Sequence, residues 1–355
     1  MGESCLLFIQ NRPKRAGAQT SLCRITQCDA IKQLSPVVLT SSHGWLNETL
    51  NSKGTPNISI TWPGPRSLFA RLGGLKVATR KIIRQLAQNG HKPTAIIAND
   101  HQETLLAHTI SETLGGTPVF AILRTPGMSE NDFQKYQCDQ CTALFPRGKE
   151  LTEQVTTWTN LPAHCLEGSF ADEERHALVE LPPQFPDSIL VAGSEQPRKG
   201  FADLIDAIAI IEQEHPDFPS LTCVMTGHEP ENANSNLRST FEYVGRINDF
   251  VHFARNFPLA IHPSRSESFG MAPLELLLAG IPTLVSRTGV IDQLNLPENW
   301  CFKPESPRDM ADRIVKLWQS WPDTGLNIPK IQDQLLANYH ISNTAGTIAQ
   351  AVQET

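Results

Sequence analysis

Short apolar runs alternate with longer amphipathic stretches along almost the whole chain. This rhythm restricts the fold more than any other feature, because strands separated by helices pair in parallel and need cover on both faces. In the first half, residues 5–10, 36–40, 94–98, 118–123 and 142–145 predict strands. Residues 18–32, 67–89 and 103–114 predict the helices between them. The second half repeats the rhythm, with strands at 188–192, 221–226, 259–262 and 283–286 and helices at 200–214, 270–279 and 308–321. The proline-rich segment 180–187 lacks periodicity and marks a joint. The expectation is an α/β protein of two Rossmann-like, doubly wound domains, 1–180 and 181–337.

A chain of 355 residues with 40% hydrophobic and 19% charged side chains can bury two such cores. No apolar run approaches the roughly 20 residues of a membrane span. The first ten residues lack a basic leader and read as a strand, so a cytoplasmic location is expected. Eight irregularly spaced cysteines make no disulfide framework. Cys138-Asp-Gln-Cys141 lacks two further ligands at zinc-binding spacing and reads as buried thiols. Asn47-Glu-Thr49 and Asn57-Ile-Ser59 match glycosylation acceptors by chance in such a compartment. Charge is divided unevenly. Residues 1–90 hold twelve basic and three acidic side chains, a balance of +9 against −16 for the remainder. The split points to an anionic partner for the first half: a phosphorylated substrate, an anionic lipid surface or nucleic acid. Within 67–89, Leu68, Leu72, Leu75, Ile82, Ile83 and Leu86 share one helical face, while Lys76, Arg80 and Arg84 form a basic row on another. No aromatic-interleaved basic motif supports nucleic-acid binding.

The sequence lacks G-x-G-x-x-G, a P-loop, H-E-x-x-H, G-x-S-x-G and Asp-x-Asp, which excludes several large enzyme classes and leaves no expected metal site. Asp203 and Asp206, like Asp309 and Asp312, stand three apart on predicted helices, the spacing of a solvent face. The most specific stretch runs from Pro263 to Pro282. It places Glu267 in a strand-to-helix loop and Glu275 on the second turn of the helix, an E-x7-E pattern, with Phe269, Gly270 and Met271 at the helix start. A glycine-bearing loop before a helix offers backbone donors, and carboxylates accept from vicinal hydroxyls. Upstream, Ser194 follows a strand, and Arg198, Lys199 and Gly200 begin a helix, where adjacent cations suit a departing diphosphate.

These elements resemble the donor site of the retaining glycosyltransferases of family 4, which have the GT-B fold. Gly-Ser followed by Arg-Lys-Gly is similar to the variant seen in lipopolysaccharide-core glucosyltransferases. The resemblance implies that Glu267 contacts the transferred sugar, that Glu275 holds the ribose, and that Arg198 and Lys199 stabilise the diphosphate. It implies further donor contacts at Gly17 in Ala16-Gly17-Ala18-Gln19, at Arg246 after Gly245, and at the Thr288–Gly289 turn. Ser41–Leu46 is similar to the family's loop after the second strand. Asn99-Asp100-His101 follows a strand where acceptor contacts fall; Arg124 stands where many members carry a histidine, and is grouped with Asp100 and His101 as an acceptor candidate.

The implied protein is a metal-independent hexosyltransferase without a cofactor. It would move a hexose from a nucleotide-sugar, a UDP-hexose, to a glycan or lipid-linked acceptor, such as lipopolysaccharide core or an exopolysaccharide precursor. The two domains would face a central cleft, a last helix at about 338–355 would pack back on the first domain, and the basic domain would allow peripheral attachment to the inner face of the membrane. The rival readings are another GT-B enzyme, such as a phosphorylase or epimerase, and a degenerate member that binds nucleotide-sugar or serves as a scaffold.

Overall fold

In the computed structural model, all strands among the described residues pair in parallel and sort into two six-stranded sheets. The structure describes residues 2–64, 73–125, 127–194, 196–229, 236–247, 249–267, 269–323 and 327–355. The first sheet contains β1 (Glu3–Gln10), β2 (Pro36–Thr40), β3 (Asn57–Ser59), β4 (His91–Ala98), β5 (Val119–Leu123) and β6 (Ala143–Pro146) in the order β3-β2-β1-β4-β5-β6. The second contains β7 (Ser188–Val191), β8 (Thr222–Thr226), β9 (Thr240–Gly245), β10 (Ala260–His262), β11 (Thr283–Ser286) and β12 (Cys301–Phe302) in the order β9-β8-β7-β10-β11-β12. Both are therefore wound identically, outward from a central first strand. Strand order reverses beside β1 and beside β7, and loops leaving the carboxyl ends at such a switch point diverge to form a ligand crevice.

Contacts divide the chain into two compact units, Met1–Ala171 with Tyr339–Thr355, and Asp172–Asn338. In the first, Cys5, Leu7 and Ile9 point to one face of the sheet, against Ile82, Leu86, Ala107 and Ile110. Leu6 and Phe8 point to the other, against Leu22, Ile25 and Ile31. Alternate residues are thus buried on opposite faces, the reason β1 reads as a continuous apolar run. The terminal helix Ile341–Gln353 adds Ile341, Ala345 and Ile348 to that second core, so the chain's last segment completes the first unit. In the second unit Leu190, Ala192, Ala260, Leu276 and Ile281 share one core.

The structure departs from the sequence reading in two places. The helix expected at 18–32 breaks into Gly17–Gln27 and Asp29–Lys32, because Cys28 adopts an extended conformation and restarts the helix with Asp29 in its first turn. The strands β3, β9 and β12 had no counterpart in the reading; β3 and β12 are only three and two residues long and lie at sheet edges, and β9 alternates exposed and half-buried positions at an edge. Asn47 is fully buried, and its amide donates to Thr40 Oγ1, Asn57 Oδ1 and Ser59 Oγ, tying β2 to β3.

Helix Leu75–Gln88 buries Ala78, Thr79, Ile82 and Leu86 and exposes Lys76, Arg80, Lys81 and Arg84; Leu68 and Leu72 of the expected helix lie outside the described residues. No helix among the described residues is long and apolar enough to cross a membrane.

Candidate functional site

The two loops singled out in the second half leave the carboxyl ends of β7 and β10, neighbours at the switch point. They are locked to each other. Gly200 has φ +71°, and a Cβ there would meet Pro263 O at 2.0 Å, so only glycine allows this approach. Arg265 N–H donates to Arg198 O at 2.7 Å, and Ser264 Oγ donates to the same oxygen at 3.2 Å. Asp203, in the first turn of helix Phe201–Glu214, accepts two bonds from the Arg265 guanidinium at 2.8 and 2.6 Å and is 5% exposed. The solvent-face reading of Asp203 is therefore corrected. Three-residue spacing shows that side chains share a helix face but not whether that face meets water. Asp203→Ala is expected to lower stability by about 2 kcal/mol by leaving the guanidinium unpaired, measured by denaturant unfolding. Wild-type stability in that variant would remove the clamp's structural role.

The clamped loops bring together side chains distant in sequence. Lys199 Nζ lies 2.5 Å from Glu267 Oε1, and His262 Nε2 lies 3.1 Å from the same oxygen. Arg198 Nη1 stands 4.0 Å from Oε2 and is half exposed. Burial pushes the Glu267 carboxyl up, but the hydrogen bond and charge of His262, with Lys199, outweigh it and hold the carboxyl at about 2. A cavity of about 430 Å³ adjoins this cluster. Ser194, Lys199, His228, Arg246, Phe250 and His262 contribute to its wall. The antiparallel pairing of Gly227 with Gly245 holds the ends of β8 and β9 together there.

Other expected donor residues frame this region without lining that cavity. Glu275 is half-buried on helix Met271–Leu278, which starts at Gly270 with φ +88°. Phe269 is buried, and its carbonyl accepts Val290 N–H at 3.1 Å. A Cβ on Gly289 would meet Phe269 O at 2.9 Å, so the Thr288–Gly289 turn is pressed on the backbone of the E-x7-E loop. Met271 is half-buried at the helix start. Ser268 lies outside the described residues.

In the first unit, Asp100, His101 and Arg124 gather at the ends of β4 and β5. Asp100 Oδ1 accepts from His101 N–H at 2.7 Å and pairs with His101 Nδ1 at 2.5 Å. Tyr136 meets the His101 ring edge-on, centroids 4.9 Å apart. Arg124 donates to Asn99 O at 2.9 Å and to Asn99 Oδ1 at 2.8 Å. Burial lowers the guanidinium to about 10, against the raising charges of Asp100 and Glu103. Glu103 is fully buried; burial, then the Asp100 charge, pushes its carboxyl up to about 8. Its Oε1 accepts Asn11 N–H at 3.0 Å and its Oε2 has no hydrogen-bond partner. Gly17 begins helix Gly17–Gln27 with open space where a Cβ would sit. Cys138 and Cys141 are buried, Cys141 with its Sγ 3.9 Å from His108 Nε2, and burial pushes Cys138 up to about 12. Among the described residues no group of three or more His, Cys, Asp or Glu side chains is placed to hold a metal ion.

The sequence reading missed His262, His228, Phe250, Asp203 and Glu103. His262 stands only five residues before Glu267 and could have been suspected from that closeness, whereas Asp203 meets Arg265 across 62 positions, a pairing the helix–strand rhythm does not specify.

Residues 174–325 match the family profile of the glycosyl transferases group 1. The second unit carries a glycosyl transferases group 1 domain. An uncharacterised glycosyltransferase of Bacillus subtilis (strain 168), YqgM, is 31% identical over 103 residues, which cover 26% of this chain and 28% of that protein. The chain thus matches little more than a quarter of that curated relative's length. Among solved structures, Anabaena HepE in complex with UDP-glucose superimposes with a TM-score of 0.74 at 15% identity, over 99% of each chain. A sucrose-phosphate synthase from Thermosynechococcus elongatus superimposes with a TM-score of 0.72 at 15% identity, again over 99% of both chains. The fold is GT-B. The domain's profile spans both clamped loops, the cavity and the E-x7-E helix.

Proposed function

We propose that this protein is a retaining, metal-independent family 4 glycosyltransferase that moves a hexose from a UDP-hexose to a glycan or lipid-linked acceptor. One observation carries the reading: Lys199 and Arg198 converge on Glu267 at the switch point of the second sheet, beside a cavity of about 430 Å³. HepE, which shares the fold, is recorded with UDP-glucose, in keeping with a nucleotide-sugar as co-substrate. The base would occupy the cavity by Arg246, Glu275 would accept from the ribose hydroxyls, and the diphosphate would lie against Lys199, Arg198, the Gly270 helix start and the Thr288–Gly289 turn. The backbone at Phe269 and Met271, with Ser194, shapes that path. Glu267 would orient the sugar. Negative charge builds on the diphosphate as the glycosidic bond breaks, and the two cations meet it without a bound metal.

No enzymic nucleophile is required. The acceptor oxygen attacks from the face the diphosphate leaves, a phosphate oxygen takes its proton, and configuration is retained. Asp100, His101 and Arg124 would hold the acceptor in the first unit, with the Gly17 loop at the helix start. The variant Gly-Ser…Arg-Lys-Gly favours an acceptor of lipopolysaccharide-core type. The exposed basic row Lys76, Arg80, Lys81 and Arg84 suits peripheral attachment to the cytoplasmic face of a membrane.

Calorimetry with UDP, GDP and their hexose conjugates tests the reading. Micromolar binding of UDP and a UDP-hexose is expected, weakened about 10-fold or more in Glu275→Ala by loss of the ribose bonds. A folded sample that binds no nucleotide-sugar sinks the transferase reading and leaves a scaffold.

A further inference from the structure

The proposed donor site holds a buried histidine that the scheme above leaves without a role. His262 closes β10 and is 1% exposed. Its Nδ1 lies 2.8 Å from Ala192 O and its Nε2 lies 3.1 Å from Glu267 Oε1. A carbonyl oxygen only accepts, so Nδ1 donates to Ala192. An ionised carboxylate also only accepts, so Nε2 donates to Glu267. Both cationic side chains on Glu267 come from the loop after β7: Lys199 at 2.5 Å on the same oxygen as His262, and Arg198 at 4.0 Å on the other oxygen. Lys199 sits on a flexible four-carbon stem and Arg198 is half exposed, whereas His262 is fixed at both ends.

This asymmetry matters when a donor binds. A diphosphate that draws Lys199 and Arg198 toward itself takes two cations away from Glu267. A largely buried carboxylate stripped of its partners is costly and would move or take up a proton.

We infer that His262 is a positioning residue, whose bonds to Ala192 O and Glu267 Oε1 keep Glu267 a fixed carboxylate while Lys199 turns to the donor's diphosphate. The inference rests on the donor-site reading above. It predicts a histidine protonated on both ring nitrogens in the resting protein, and a role that depends on the Nε2 bond rather than on filling space.

Two measurements test this. Heteronuclear NMR on the ring nitrogens of histidine-labelled, full-length protein is expected to show Nδ1 and Nε2 of His262 each carrying the proton it donates to Ala192 O and Glu267 Oε1. Replacing Glu267 by Gln should remove the Nε2 proton. In His262→Asn the amide keeps the Ala192 bond and loses Glu267; in His262→Gln it keeps the Glu267 bond. Transfer kcat is expected to fall about 30-fold in His262→Asn, the worth of one charge-assisted hydrogen bond, with UDP-hexose affinity within about 3-fold of wild type. His262→Gln should recover most of that rate, and the acidic limb of the kcat profile should move to higher pH further in His262→Asn, which loses both bond and charge, than in His262→Gln, which loses the charge alone. A ring with a single proton in the wild-type protein, or equal losses in the two variants, overturns the inference. Absence of UDP-hexose binding by the wild-type protein shows separately in calorimetry and overturns the donor reading together with it.

Discussion

Lys199→Ala is expected to cut the transfer rate about 1,000-fold, whereas Arg198→Ala costs about 10-fold. Both cations precede the same helix, so the sequence pattern ranks them equally. Their surroundings do not. Lys199 Nζ lies 2.5 Å from Glu267 and its side chain is 16% exposed; Arg198 stands 4.0 Å away and is 52% exposed. A cation in low dielectric acts on developing charge far more strongly than one screened by water. Lys199→Ala also removes one of the partners that hold the Glu267 carboxyl near 2 in the free enzyme, so the acidic limb of its kcat/KM profile should rise toward the ordinary carboxylate range. Pre-steady-state measurements with saturating UDP-hexose separate this loss from weaker binding. An Arg198→Ala loss equal to or larger than that of Lys199→Ala would mean that the diphosphate lies on the exposed side of the loop.

Glu103→Gln is expected to remove a pH-dependent destabilisation of roughly 5 kcal/mol, taken as the shift from 4.5 to about 8 at 1.36 kcal/mol per unit. The folded carboxyl is raised, so between about pH 4.5 and 8 the native protein keeps a proton that the unfolded chain has released. The unfolded state then binds fewer protons, and wild-type stability falls as pH rises through this window. The full loss is present above pH 8 and absent below about 4.5. The amide of the variant cannot ionise, so its stability should stay flatter across the same range. Urea unfolding at several pH values checks this, and parallel wild-type and variant curves would rule it out. The neutral carboxyl also explains how Glu103 can sit unpaired at Oε2 beside Asn11 and Asp100.

The parallel sheets and the switch-point loops were legible because they depend on local pattern. β1 reads as a buried strand because both faces of a parallel sheet are covered, and Gly200, Gly270 and Gly280 punctuate the chain where helices begin or end. The E-x7-E segment was legible for the same reason: loop, helix and both carboxylates lie within one continuous stretch. What escaped was of two kinds. The edge strands β3 and β12 are too short to show a period. The buried polar pairs join residues far apart, Lys199 with Glu267 and Asp203 with Arg265, 68 and 62 positions distant.

The sequence by itself determined the class of fold, the places where loops leave the carboxyl ends of the strands, and which residue types those loops carry. Periodicity and turn chemistry act over a few residues, so they can be read without knowing the rest of the chain. Only the tertiary structure decided which charges meet. Pairing β7 with β10 set Lys199 and His262 on one oxygen of Glu267, sent Asp203 inward to Arg265, and left Arg198 half exposed. Those outcomes follow from strand order and burial, and burial sets both the strength of an ion pair and the proton affinity of each of its members.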